Sequence, residues 1–252
     1  MPQSHNTLID AVCEVNSNVV VVLQGGSPMA MPWRDRVQAI LALYLAGCRN
    51  GHAAWDLLSG TVNPSGKLAE TWPLCEAELP SNGCFSGDER GVEYRESIFV
   101  GYRYFLTAGV PVAYPFGHGL SYTSFAYSDP HVTDNEVSLT LQNTGSVSGK
   151  ETVQVYLAKP DSAVCRPARE LKAFLKVALK PGERRLVRIP LEEDAYTFYS
   201  VEHRNWVVEK GDYEILVGSS SSDIRLRAVI TKQGAACGKI AYPCGGADKA
   251  TF

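Results

Sequence analysis

Two bodies of different class are predicted: a partial α/β sandwich with parallel strands, then an all-β sandwich of the immunoglobulin or fibronectin type III-like kind. Three observations predict them. Early in the chain, helix and strand signals alternate around Val19-Val20-Val21-Val22-Leu23, a continuous apolar run of the kind that fills parallel sheets. Beyond Tyr127 the pattern changes to apolar–polar alternation punctuated by turn residues. Between them, Tyr94 to Phe125 (YRESIFVGYRYFLTAGVPVAYPFGHGLSYTSF) crowds aromatic rings, Gly, Pro and charges, a mixture suited to a packed seam rather than a tether. The expected divisions are 1–125 for the first body with its aromatic junction, 126–232 for the sandwich, and 233–252 for an irregular tail.

Composition supports cores for both. Of 252 residues, 45% are apolar and 20% charged, which is ordinary globular material. A formal net charge of -3 with scattered Lys and Arg offers no basic face for nucleic acid and no polybasic run for a membrane surface, so neither partner is expected. The longest apolar run, Val19 to Leu23, is too short to span a bilayer, and the first residues lack the order of an export signal. Seven cysteines (Cys13, Cys48, Cys75, Cys84, Cys165, Cys237, Cys244) form no CxxC and leave one over, which fits reduced thiols. Only Cys237 and Cys244 are placed to close a small loop. Asn63 precedes Pro64 and is no glycosylation acceptor. A cytoplasmic location is expected.

In the first body, Leu8, Ile9, Val12 and Cys13 recur at helical spacing between Ser4 and Val15, with Pro2 near the helix start. The Val19–Leu23 strand leaves through Gln24-Gly25-Gly26-Ser27-Pro28. Val37, Ile40, Leu41, Tyr44 and Leu45 draw an apolar stripe that predicts a second helix ending at Gly47, and Gly51 to Gly60 predicts another. Only Lys67–Thr71 and Ile98–Phe105 remain as short strand candidates. A strand buried on both faces needs neighbours, so the sheet reads as severed, open to another chain or copy along its edge.

The second body shows Val137, Leu139 and Leu141 facing one way and Ser138, Thr140 and Gln142 the other. Further strands are expected at 152–158, 170–179, 184–189, 206–209, 213–217 and 224–230. They are separated by Asn143-Thr144-Gly145, Lys180-Pro181-Gly182-Glu183 and Lys210-Gly211-Asp212.

Candidate chemistry is sparse. Gly119-Leu120-Ser121-Tyr122-Thr123 misses the GxSxG elbow at its last residue and does not join a buried strand to a helix, so a structural Ser121 is expected. Ser27 sits at the carboxyl end of a parallel strand, where ligands gather, but lacks evident His and Asp partners. His5, His52, His118, His131 and His203 share no metal-ligand spacing, and neither Gly25-Gly26 nor Gly117-His118-Gly119 has a phosphate-loop order. No metal or cofactor is expected. Glu93 and Glu96 are the one carboxylate pair set among aromatic residues, as glycoside hydrolysis requires. Three positions apart on one segment, they are expected instead to make buried ion pairs with Arg95 and Arg103.

Taken in order, VVVVLQGGSP (Val19–Pro28), Met31-Pro32-Trp33, Asn63-Pro64-Ser65-Gly66-Lys67-Leu68, Thr71-Trp72-Pro73, Tyr94-Arg95-Glu96, Val100-Gly101-Tyr102-Arg103-Tyr104-Phe105 and Pro115 to Thr123 resemble the C-terminal part of glycoside hydrolase family 3, its β-glucosidases in particular. Asn143-Thr144-Gly145, Gly149-Lys150-Glu151, Arg166-Pro167, Glu170-Leu171 and Leu179 to Glu183 resemble that family's fibronectin type III-like domain. Ser97 stands where the family usually has glycine, and Ala46 to Gly51 departs from its usual Pro-Gly-Gln pattern.

The resemblance implies a C-terminal segment of an enzyme that hydrolyses terminal β-glucosyl residues with retention, using an Asp nucleophile on a barrel and a Glu acid/base upstream of Pro2. Neither carboxylate has a counterpart here, so no catalytic residue is assigned and the chain alone is expected to be inactive. The expected partners are a β-glucoside or oligosaccharide in the complete enzyme, a separate barrel chain, or a second copy through the open edge. The alternative is a non-catalytic carbohydrate-binding or assembly module, or one half of a split glycosidase.

Overall fold

The computed structural model describes residues 1–85, 87 and 91–236. Gln3–Val15 forms helix α1, preceded by Pro2, which lacks the amide that a helix start would leave without a partner. Strand β1 (Val20–Leu23) pairs in parallel with β2 (Ala39–Ala42), Val20 opposite Ala39. Val21, Leu23, Ile40 and Ala42 turn inward onto Trp33, which is fully buried and donates its indole N–H to Asn6 of α1 at 3.0 Å. The outward residues Val20 and Val22 remain 45% and 37% exposed. The sheet is therefore covered on one face only, whereas its unbroken apolar sequence predicts cover on both.

Three expectations are corrected. The Val37–Leu45 stripe forms no helix; after a 3-10 turn at Arg34–Arg36 it supplies strand β2, because parallel pairing with β1 satisfies its backbone; short apolar runs carry both periods, and tertiary partners choose between them. Within Ile98–Phe105 no strand forms: Tyr102–Ala108 is helix α3, closed by Gly109 at φ 67. The 67–71 candidate likewise gives way to β3 (Trp72–Pro73), which pairs antiparallel with β4 (Val112–Tyr114). Helix α2 (Asn50–Leu58) forms where the Gly51–Gly60 pattern places it.

The second body is a two-sheet sandwich. Its elements are β5 (Phe125–Val132), β6 (Glu136–Asn143), β7 (Gly149–Ala158), β8 (Glu170–Leu179), β9 (Arg184–Pro190), β10 (Thr197–Ser200), β11 (Asn205–Val208), β12 (Gly211–Gly218), β13 (Ile224–Lys232) and β14 (Ala235–Ala236). One sheet has the order β5-β6-β9 and the other β13-β12-β7-β8, with antiparallel pairing throughout. Alternate residues such as Val137, Leu139 and Leu141 meet Val153, Val155, Ile215 and Val217 in one core. The 206–209 strand belongs to a separate β10-β11-β14 hairpin sheet, and β5 takes its place in the sandwich. Tyr213 closes the corner before β12, donating its hydroxyl to the Glu209 carbonyl at 3.0 Å. The two-residue β14 lies in the stretch expected to be irregular; Cys237 and Cys244 fall outside the described residues.

Ser97 adopts φ 50, the left-handed region that the family's glycine would occupy without strain. Ser97→Gly should stabilise the fold by about 0.5–1 kcal/mol. The check is a rise in chemical-denaturation midpoint at unchanged slope; a fall would show that the serine side chain supports the turn.

Candidate functional site

Of the junction expected at Tyr94–Phe125, the part from Tyr102 onward forms a seam that covers the outer face of the β7–β12 sheet, while Tyr94, Ile98 and Val100 stay exposed. Tyr102 of α3 stacks on Phe116 with ring centroids 4.6 Å apart and meets Tyr156 edge-on at 6.1 Å. Its hydroxyl accepts the Leu171 amide of β8 at 2.9 Å, and Thr107 accepts the Ala168 amide at the same distance. Tyr156, Ala158 and Leu216 are thereby buried on the side of the sheet away from the sandwich core. That double burial explains why β7 is buried at nearly every position rather than at every second one.

Polar groups lock the register. Gln154 of β7 donates to the carbonyls of Gly117 (3.1 Å) and Ser219 (2.6 Å) and accepts the Tyr156 hydroxyl at 2.5 Å. Gly117 has φ 80, and a Cβ there would lie 2.1 Å from the Gln154 side-chain oxygen. Asn63 donates to Ser148 at 3.0 Å while accepting from the Ser121 hydroxyl (2.9 Å) and the Tyr122 amide (2.8 Å). Ser121 is thus a structural hydroxyl tying a first-body loop to the junction.

At the centre lies an ion pair. Lys67 meets Glu151 of β7 at 3.3 Å, with side chains 13% and 6% exposed, and also donates to the Gly119 carbonyl at 3.1 Å. Glu151 accepts the Tyr127 hydroxyl at 2.9 Å. Burial first, then the neighbouring Glu151 carboxylate, pushes the Tyr127 phenol far above its usual range and keeps it a donor.

The opposite side of the seam opens into a groove of about 370 Å³ that runs along β2 and reaches Val20 of β1. Val20, Leu41, Trp72, Tyr114, His118 and Tyr122 are among its walls. Trp72 donates its indole N–H to the Tyr44 hydroxyl at 3.2 Å, and His118 stacks on Tyr114 at 5.1 Å. Among the described residues, the lining contains the basic side chains Lys67 and His118 but no carboxylate, so the groove by itself holds neither half of a glycosidase acid–base pair.

The other sequence candidates do not converge there. Ser27 is exposed on its loop. Glu93 pairs with Arg95 at the surface, their side chains 66% and 70% exposed, which corrects the expected buried ion pair: the 92–95 segment stays outside the seam. Arg103 turns instead to Glu170 of β8 at 3.8 Å. Among the described residues no three His, Cys, Asp or Glu side chains group as metal ligands, and no helix is long and apolar enough to cross a membrane. Sequence reading missed Glu151 and Gln154; their signal was polarity breaking an otherwise apolar strand.

Residues 1–122 match the glycosyl hydrolase family 3 C-terminal domain model, and residues 151–221 match the fibronectin type III-like domain model. The chain belongs to glycosyl hydrolase family 3. This family 3 chain is 48% identical over 235 residues to thermostable β-glucosidase B of Acetivibrio thermocellus, covering 90% of the chain and 31% of that relative. It is 42% identical over 240 residues to an exo-α-(1→6)-L-arabinopyranosidase of Bifidobacterium breve, covering 93% and 32%. The crystal structure of a Bifidobacterium adolescentis family 3 β-glucosidase superposes with a TM-score of 0.89 at 42% identity, covering 92% of this chain and 36% of that one. The chain therefore spans about a third of the length of these relatives.

Two predictions follow from the seam's geometry. Lys67→Met alone leaves Glu151 buried without its cation and should cost about 3–5 kcal/mol, whereas adding Glu151→Gln should recover most of that loss. Denaturant unfolding of both variants checks this, and equal losses would place the pair outside the seam's energetics. Burial, reinforced by Lys67, holds the His118 imidazole below its usual pKa. The unfolded chain thus takes this proton at higher pH than the folded one, so stability is full above about pH 6.5 and declines as pH falls toward the folded value. Thermal midpoints of His118→Gln should vary less between pH 7 and 5 than those of the parent.

Proposed function

We propose that this chain is the C-terminal scaffold of a longer family 3 glycosidase that removes terminal β-glucosyl residues with retention. The observation that carries the reading is the open side of the β1–β2 sheet, where Val20 and Val22 remain exposed and a groove whose lining holds no carboxylate runs along β2. Such a face is buried when further strands or helices pack on it, and about two thirds of the relatives' own length lies outside the match. In the complete enzyme an Asp nucleophile and a Glu acid/base would come from that additional chain, while the residues here hold the wall beside them. The β-glucosidase relatives support the glucoside; the arabinopyranosidase relative makes the sugar a matter for assay. Five described cysteines without disulfides support a reducing, cytoplasmic setting.

A second reading draws on the same exposed Val20 and Val22: copies of the isolated chain pair across the open sheet. Sedimentation distinguishes it, since a monomer at micromolar concentration argues against pairing.

The isolated chain should show no hydrolysis of an aryl β-glucoside. Joining it to the portion of the Acetivibrio thermocellus relative outside the match should restore turnover. Hydrolysis by the pure chain that disappears in Glu93→Gln or Glu96→Gln would overturn the scaffold reading.

A further inference from the structure

A second cleft lies on the far side of the Asn63 staple, where the 62–65 loop of the first body faces the ends of β7, β8 and β9. It has a volume of about 450 Å³, and its polar walls are Asn63, Ser65, Ser148, Lys150, Lys180 and Arg185. Glu183 is the one carboxylate in the lining, and it is already engaged: it accepts the Lys180 amide at 2.8 Å and pairs with Arg185.

The strand register concentrates positive charge here. Lys150 lies opposite Ala178, so on that face of the sheet it is diagonal to Lys176 and to Lys180, the residue just past β8. Diagonal neighbours lie about 7–8 Å apart, close enough for like charges to repel. Burial, and then Lys150 and Lys67, hold the Lys176 ammonium below its usual pKa. Lys67 is neutralised by Glu151. Among the described residues neither Lys150 nor Lys180 has a carboxylate within ion-pair distance. The small Ala178 leaves the space between the three lysines open. A chain with a net charge of -3 thus gathers cations around a cavity that contains hydroxyl donors and no free acid.

We propose that this interdomain cleft binds a small oxyanion, supplied as free phosphate or as the carboxylate of an acidic saccharide. Lys150 and Lys180 approach the anion from the sheet, Arg185 from β9, and Ser65 and Ser148 supply neutral donors from the two bodies. Occupancy ties the 62–65 loop to the sandwich and relieves the repulsion among the lysines. This site is separate from the groove along β1 and β2 and stands whether or not the scaffold reading holds.

The test is calorimetric titration of the full chain at low ionic strength with inorganic phosphate, glucuronate and neutral glucose. Saturable binding of phosphate alone identifies a phosphate site, and saturable binding of glucuronate supports the acidic saccharide. In either case Lys150→Ala with Lys180→Ala should weaken binding at least tenfold, as should Lys150→Gln to a lesser degree, while Lys210→Ala, an exposed lysine outside the cleft, leaves it unchanged. The thermal midpoint of the double variant without ligand should equal or exceed that of the parent, since repulsion is removed. Absence of saturable heat, equal binding of glucose, or the same loss in Lys210→Ala would overturn the proposal.

Discussion

The buried Lys67–Glu151 ion pair is the interaction on which the two-body arrangement depends. Removing both charges from water is costly, and the attraction compensates only when geometry is good and the remaining hydrogen-bonding positions are filled. Here they are filled on both sides, by the Gly119 carbonyl on the lysine and by the Tyr127 hydroxyl on the carboxylate. Lys67 belongs to the first body, Gly119 to the junction, and Glu151 and Tyr127 to the sandwich. Any slip of one piece against the others leaves a buried charge alone.

Close backbone approach makes that register possible. A Cβ on Gly119 would lie 2.2 Å from the Gly66 carbonyl oxygen, so glycine is what lets the junction and the Lys67 loop run together. Leu68 and the 117–118 turn exchange backbone hydrogen bonds at 2.8 Å across the same contact. The outer face of the β7–β12 sheet, which in an isolated sandwich would meet water, is instead packed under Tyr102 and Phe116. The seam is thus a third hydrophobic layer, and the sandwich serves as a foundation for the first body as much as a domain in its own right.

The first body has the opposite character on its other side. One face of the β1–β2 sheet rests on Trp33 and α1, while the other borders the groove with Val20 and Leu41. That asymmetry and the third-length match to family 3 relatives are the two findings on which the proposed scaffold role rests. The aromatic Trp72, Tyr114 and His118 give the groove firm walls, and its lining holds no carboxylate among the described residues.

The sequence by itself determined both fold classes, most strand positions of the sandwich, the family, and the unusual demand at Ser97. Those features rest on local periodicity, turn residues and motif order, which are properties of neighbouring residues. It also raised the expectation of a severed sheet, because reading Val37–Leu45 as helix left β1 without the strand neighbour that β2 supplies. Only the tertiary structure decided that the centre of Val37–Leu45 is a strand and that Tyr102–Ala108 is a helix, since a short apolar segment takes the form its partner can pair with. It likewise assigned Arg103 to Glu170 rather than to the Glu93 segment, and joined Lys67 to Glu151 across 84 positions. Pairings of that kind depend on how two bodies dock, and docking is set by complementary surfaces that no local pattern encodes.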